Sequence, residues 1–258
     1  MTALRNIGAI VGKEWRHYFG SPIAYITLFV WLALFGLFFS ITLGYFVAAS
    51  SNPMGGGGRM SLNDWVIGAT LQSMAVVTLF VAPLLTMRLF AEEKRQGTLE
   101  LLATAPLTSL QIILGKFLGA LGLYALMLVL GLLNAVPLWL VASNAPEWRP
   151  VATSLLALLL LGSALIAMGG FLSSLTRNQI VAGALTFGLA LGFWILSWLD
   201  DPTGGTATKV LAYLGLLGHT EDLMKGVIDL KHLVYYLTFT VFGLFLTHQS
   251  LEAQRWRA

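Results

Sequence analysis

Four charged residues stand side by side in this chain, Glu92, Glu93, Lys94 and Arg95, in a sequence where charge is scarce. Carboxylates and amines packed this closely can exchange protons, hold an ion, or form the charged face of a protein contact. Catalysis would need other groups to converge on them. The four histidines, His17, His219, His232 and His248, lie in separate segments, and none is at metal-ligand spacing. No Ser–His pair or inward carboxylate pair is indicated by position. A phosphate-binding loop would need G-x-x-x-x-G-K-[ST]; here Lys116 follows Gly115 but precedes Phe117, and Leu110 stands at the first glycine position. With zero cysteines, disulfides and thiolate metal sites are excluded. The residues therefore offer no catalytic set, no metal site and no cofactor bound by this chain, so energy must come from a partner. What remains for the charged group is contact with something soluble.

The elements that must position it are membrane spans. The chain has 258 residues, 57% hydrophobic and 10% charged, against about 25% charged in a soluble domain. Apolar runs at 22–48, 65–90, 111–142, 151–176, 179–199 and 233–250 each approach or exceed the roughly 17 to 20 residues that a bilayer needs. The expected fold is all-α: a polytopic membrane protein of six transmembrane helices forming one domain over 1–258. No Asp, Glu, Lys or Arg lies well inside a span, which counts against a proton- or sodium-driven carrier. Gly115 and Gly119, like Gly188 and Gly192, have the small-xxx-small spacing of close helix contacts.

Basic residues set the orientation. With the N-terminus in the cytoplasm, only Arg59, Arg149, Lys209, Lys225 and Lys231 of the 15 Lys and Arg fall outside. The net charge of +3 thus reads as topology, with no nucleic-acid partner implied. The first apolar run is longer than the 7 to 15 residues, roughly, of a signal-peptide core, and is expected to remain as a span.

Residues 4–19 have the pattern of an interfacial helix. Leu4, Ile7, Val11, Trp15 and Tyr18 share one face, and Arg5, Lys13, Arg16 and His17 the other. Ser21 and Pro22 suit the N-cap and first position of the next helix. Residues 176–179 leave room only for a tight hairpin between spans four and five. Residues 200–232 are too long for a turn; an apolar piece broken at Gly218 and a helix from Thr220 to a stop at Gly226 suggest two short helices dipping into the outer leaflet. A surface loop with one amphipathic helix is the alternative.

Around the four charges, span two is expected to continue as helix to Gln96 and stop at Gly97. Thr98 can cap a second short helix with Glu100 in its first turn and Leu99, Leu101 and Leu102 on its apolar side. Pro106 ends that helix, and Thr108 with Gln111 matches a capping box that opens span three. Such a segment suits a groove on a soluble motor, and equally an ordinary solvated inner loop.

The run RLFAEEKRQGTLELLATAPLTSLQIILGKFLGA resembles the signature of ABC-2 type export permeases, and the chain as a whole resembles their gliding-motility-associated branch. GKEWRHYFGSPIAY, LSSLTRNQIVAG and GVIDLKHLVYYLTFTVFGLFLT extend the likeness along nearly all of it. The resemblance implies a permease subunit of an ATP-driven exporter in a bacterial inner membrane, with both termini cytoplasmic and the translocation path formed as a homodimer or heterodimer. ATP and magnesium would sit on a separate ABC ATPase subunit. Residues 91–110 would be the coupling region, with Glu92, Glu93, Lys94, Arg95, Gln96, Gly97, Thr98, Leu99, Glu100, Leu101 and Leu102 meeting the ATPase. Lys13, Glu14, Trp15 and Arg16 of the interfacial helix would also touch it. Residues 200–232 would be the outer re-entrant element, where an extracytoplasmic accessory protein could sit, and membrane lipids would surround the spans.

Overall fold

The computed structural model describes residues 2–51, 61–98, 107–142, 146–199 and 205–255. Among them every regular element is helical: α1 (Thr2–Phe19), α2 (Pro22–Ser50), α3 (Ala69–Thr86), α4 (Ala91–Gln96), α5 (Ser109–Leu132), α6 (Val136–Val141), α7 (Trp148–Leu175), α8 (Gln179–Leu196), α9 (Thr206–Tyr213), α10 (Thr220–Met224) and α11 (Leu230–Arg255). A wide π-helical stretch, Asn63–Gly68, leads into α3. Six helical stretches are long and apolar enough to cross a membrane: Pro22–Ser50, Asn63–Gln96, Ser109–Val141, Trp148–Leu175, Gln179–Leu199 and Leu230–Gln254. They match the six apolar runs of the sequence to within a few residues, except that the second and last extend further at the end that bears both termini.

α7 is the central post, packed against α3, α5, α8 and α11. Its apolar face would tolerate no unpaired polar group, and those present are bonded. Thr78 and Tyr124 hydroxyls lie 2.9 Å apart, and Tyr124 Oη donates to the Leu158 carbonyl at 3.2 Å. Ser163 meets Thr240 of α11 at 3.1 Å. α2 and α8 sit on the periphery and turn large side chains outward, Phe29 and Ile180 among them. In a bilayer such faces meet lipid or another protein.

The breaks between helices follow local chemistry. Ser21 Oγ caps α2 by accepting from Ile23 N, with Pro22 at the first position. Asn178 Oδ1 accepts from Ile180 N at 2.9 Å and Val181 N at 3.5 Å, closing the hairpin between α7 and α8. Thr108 Oγ1 accepts from Gln111 N at 3.3 Å. The return half of the expected capping box is replaced: the Gln111 side chain accepts from Asn6 of α1 instead.

α1 is amphipathic, but its buried stripe is displaced by part of a turn from the purely apolar one. Leu4 is exposed, whereas Ile10 and Glu14 are buried. Both rest on α5. A Cβ on Gly115 would lie 2.6 Å from Ile10 Cβ, and one on Gly119 would lie 2.8 Å from Glu14 Cβ. Contacts recur every four residues on both helices, so α1 runs alongside the start of α5 in the same direction. The Gly115 and Gly119 spacing thus serves helix contact, while Gly188 and Gly192 face open space.

Between spans five and six the structure has two short helices, α9 and α10, as expected, and Gly226 at φ 85° ends the second. The break between them begins earlier than expected. The turn starts at Leu214, and Gly215, not Gly218, is the residue that must be small, because a Cβ there would sit 2.6 Å from Ser197 N. α10 seats Leu223 in the core against α7, where Ser154 Oγ donates to the Met224 carbonyl. Residues 200–204 of the expected re-entrant segment lie outside the described residues.

Candidate functional site

α4 is only six residues long, too short to hold itself together in isolation. It is held from outside. The N-cap residue Phe90 supplies no side-chain cap. Instead Ser173 Oγ, from α7, accepts from both Phe90 N and Ala91 N at 3.1 Å and donates to the Met87 carbonyl at 3.3 Å. At the other end Gly97 takes φ 70°, the left-handed conformation that stops the helix.

Successive residues of α4 then reach different neighbours. Glu92 accepts from Gln179 of α8 and pairs with Arg88 at 3.4 Å and Arg95 at 2.9 Å. Glu93 Oε1 lies 3.0 Å from Lys116 of α5 and 3.0 Å from Lys13 of α1. Lys94 Nζ donates to the Ser174 carbonyl of α7. Four consecutive residues, Ala91 to Lys94, thereby fasten α4 to α7, α8, α5 and α1.

Lys116 is the centre of the ionic part. It is 3% exposed and lies 2.8 Å from Glu14 Oε1, with the Phe90 ring 5.5 Å from its ammonium. Two cations, Lys13 and Lys116, and two anions, Glu14 and Glu93, form one balanced network across three helices. Burying an unpaired charge costs several kcal/mol, so the network holds only while all the helices are in place. Trp15 Nε1 donates to the Gly119 carbonyl at 3.2 Å beside it. The end of α11 joins the same region through Ser109 Oγ, which donates to Glu252 at 2.6 Å.

The sequence-predicted residues divide into two groups. Glu92 and Glu93 are 7% and 8% exposed and face into the bundle. Arg95, Gln96 and Gly97 face outward, with Lys94 and Thr98 between. On α1, Lys13 and Arg16 are exposed, Glu14 is buried and Trp15 is half-buried. Leu99, Glu100, Leu101 and Leu102 lie outside the described residues, and so does most of the second short helix proposed there. Lys116 and Ser173 are the residues that sequence reasoning passed over. Lys116 carried a signal, as a lone cation beside glycines; Ser173 carried none. Among the described residues no group of three or more His, Asp or Glu side chains could hold a metal ion.

An all-helical bundle of six membrane-length helices, with a charge-fastened element at the end bearing both termini, sets the comparison with known proteins. The profile described as ABC-2 family transporter protein matches residues 9–199, well over half of the chain and inclusive of α4 and its partners. No curated protein matches the chain. The chain belongs to the ABC-2 transporter family, as a multi-pass membrane permease.

Proposed function

We propose that this chain is the membrane-spanning subunit of an ATP-driven exporter of the gliding-motility-associated branch, and that α4 transmits the stroke of a separate ATPase to the spans. Membership of the family implies an ABC ATPase partner. The observation that carries the reading is the fastening of residues Ala91 to Lys94 to α7, α8, α5 and α1. A push on the outward residues Arg95, Gln96 and Gly97 reaches four helices through direct hydrogen bonds and ion pairs.

In this reading residues 91–110 form the coupling region of a single domain, and Lys13 and Arg16 of α1 flank it. ATP with magnesium binds the partner, whose closure moves α4 and α1 together because Lys116 ties Glu93 to Glu14. Two permease copies, identical or related, form the path between them. The membrane is a bacterial inner membrane with both termini in the cytoplasm, which accords with the bias of Lys and Arg toward that side. The cargo is amphipathic or polymeric, in keeping with spans whose ionised groups collect at their ends.

The chain has no cysteine, so single cysteines report positions cleanly. Cysteine at Gln96 or Thr98 should cross-link to a co-expressed ATPase, and cysteine at Asp64, at the opposite end of span two, should not. An ATPase that co-purifies yet cross-links only from other positions would remove α4 from the docking surface. ATP-dependent cargo movement in reconstituted vesicles separates an exporter from a membrane scaffold.

A further inference from the structure

We propose that His219 and His232 form a proton-binding site in which two imidazoles share one positive charge, and that this charge latches the segment between spans five and six onto α11 in a pH-dependent way. Separated by α10 and the turn that follows it, the two rings meet with Nδ1 to Nδ1 at 2.7 Å. His219 Nε2 lies 2.7 Å from the Tyr213 carbonyl, and His232 Nε2 lies 2.9 Å from Asp222 Oδ2. Both rings are 5% exposed, and Tyr235 stacks on His219 with centroids 3.9 Å apart.

Counting protons gives the charge. A carbonyl and a carboxylate only accept, so each Nε2 must carry a hydrogen. The Nδ1–Nδ1 contact then needs one hydrogen between two nitrogens. Three hydrogens on four ring nitrogens make one neutral imidazole and one imidazolium, whichever Nδ1 holds the proton. With a fourth hydrogen, two N–H groups oppose each other across 2.7 Å. With only two, one of the three contacts has no hydrogen.

The surroundings suit a single charge. Facing the pair are Tyr213 of α9, Asp222 of α10, and Lys231, Tyr235 and Tyr236 of α11; Asp229, just before α11, holds Lys231 at 2.9 Å. Asp222 supplies the counter-charge, and Lys231 lies 3.8 Å from it. Burial foremost, with the His232 ring and Lys231 adding, holds His219 below the ordinary imidazole range, against the pull of the Tyr213 carbonyl and Asp222. The sign follows on both sides: the latched form disfavours a second proton, so the latch is lost as pH falls through the lowered range of His219, and at high pH the shared proton leaves and takes the Nδ1–Nδ1 contact with it. Release would free the turn that buries Leu216 and the helix that buries Leu223.

The test uses the full chain in lipid nanodiscs, with His17 and His248 replaced by Gln to isolate two rings. Nitrogen-15 spectra at pH 7 should show one imidazolium and one neutral ring protonated at Nε2. Two neutral rings, or two imidazolium rings, at pH 7 would overturn the shared charge. Hydrogen exchange of the amides of Thr220, Lys225 and Val227, corrected for intrinsic rate, should rise roughly tenfold between pH 7 and pH 5. His232→Gln should abolish that acid response; an unchanged response in this variant would overturn the latch. Stoichiometric zinc that shifts both rings' signals would overturn it in favour of a metal site.

Discussion

Glu14 and Lys116 are 102 residues apart in sequence, and their side chains meet at 2.8 Å inside the bundle. Neither residue is stable there alone. Each is the reason the other can be buried, and together they fix where α1 lies on α5. Removing one partner leaves a buried charge, whereas removing both leaves a gap. Lys116→Met is therefore expected to cost about 3–5 kcal/mol. Lys116→Met combined with Glu14→Met should recover a good part of that loss. Thermal unfolding of the four proteins of this double-mutant cycle in detergent measures it, and additive losses would contradict the pairing.

Gly115 makes room for Ile10, so Gly115→Leu should push α1 off its seat at a cost of about 1–3 kcal/mol. Ile10→Ala in the same chain should restore part of the contact. Disulfide formation between Asn6→Cys and Gln111→Cys, whose native side chains lie 3.3 Å apart, reports the seating.

Ser173→Ala removes the shared acceptor of Phe90 N and Ala91 N. Leaving buried amides unpaired costs about 1–3 kcal/mol. The expected signature is local: faster hydrogen exchange at residues 90 and 91, with retained ATPase binding and weakened coupling of hydrolysis to transport. Unchanged exchange at these two amides would show that α4 is held by other means.

Arg95→Glu should behave in the opposite way. Its pairing with Glu92 is on a side chain 62% exposed, so stability should change by no more than about 1 kcal/mol. Association with the ATPase, measured by pull-down or by light scattering of the complex, should fall several-fold.

Much of the architecture was legible because the bilayer imposes it. Apolar runs of bilayer length, the Ser21–Pro22 start, the Gly97 stop and the Asn178 hairpin are local, and each is decided by its own few residues. The candidate site was less legible. A six-residue helix with charges all round does not declare which side faces the bundle, so Glu92 and Glu93 read as surface until Lys116 and Gln179 are seen against them. On α1, apolar character put Leu4 on the membrane-facing side and assigned Glu14 to neither face, since a buried carboxylate is acceptable only with a partner, here more than a hundred residues away. His219 and His232 stand 13 residues apart, at no recognised spacing, and it is α10 with the Gly226 turn after it that folds the chain back so that their rings meet.

The cap that Ser173 places on α4 also has a meaning for biogenesis. The chain is made from its N-terminus, so residues 91–96 leave the ribosome long before the fourth span that supplies their cap. Until that span is inserted, the amides of Phe90 and Ala91 lack their acceptor and the short helix has no support on α7. Nascent chains stalled before Trp148 are thus expected to fail to retain the ATPase in pull-downs, and chains extended beyond Leu196 to retain it. A half-built permease would then lack not the Ser173 cap alone but every anchor that α7 and α8 give the short helix.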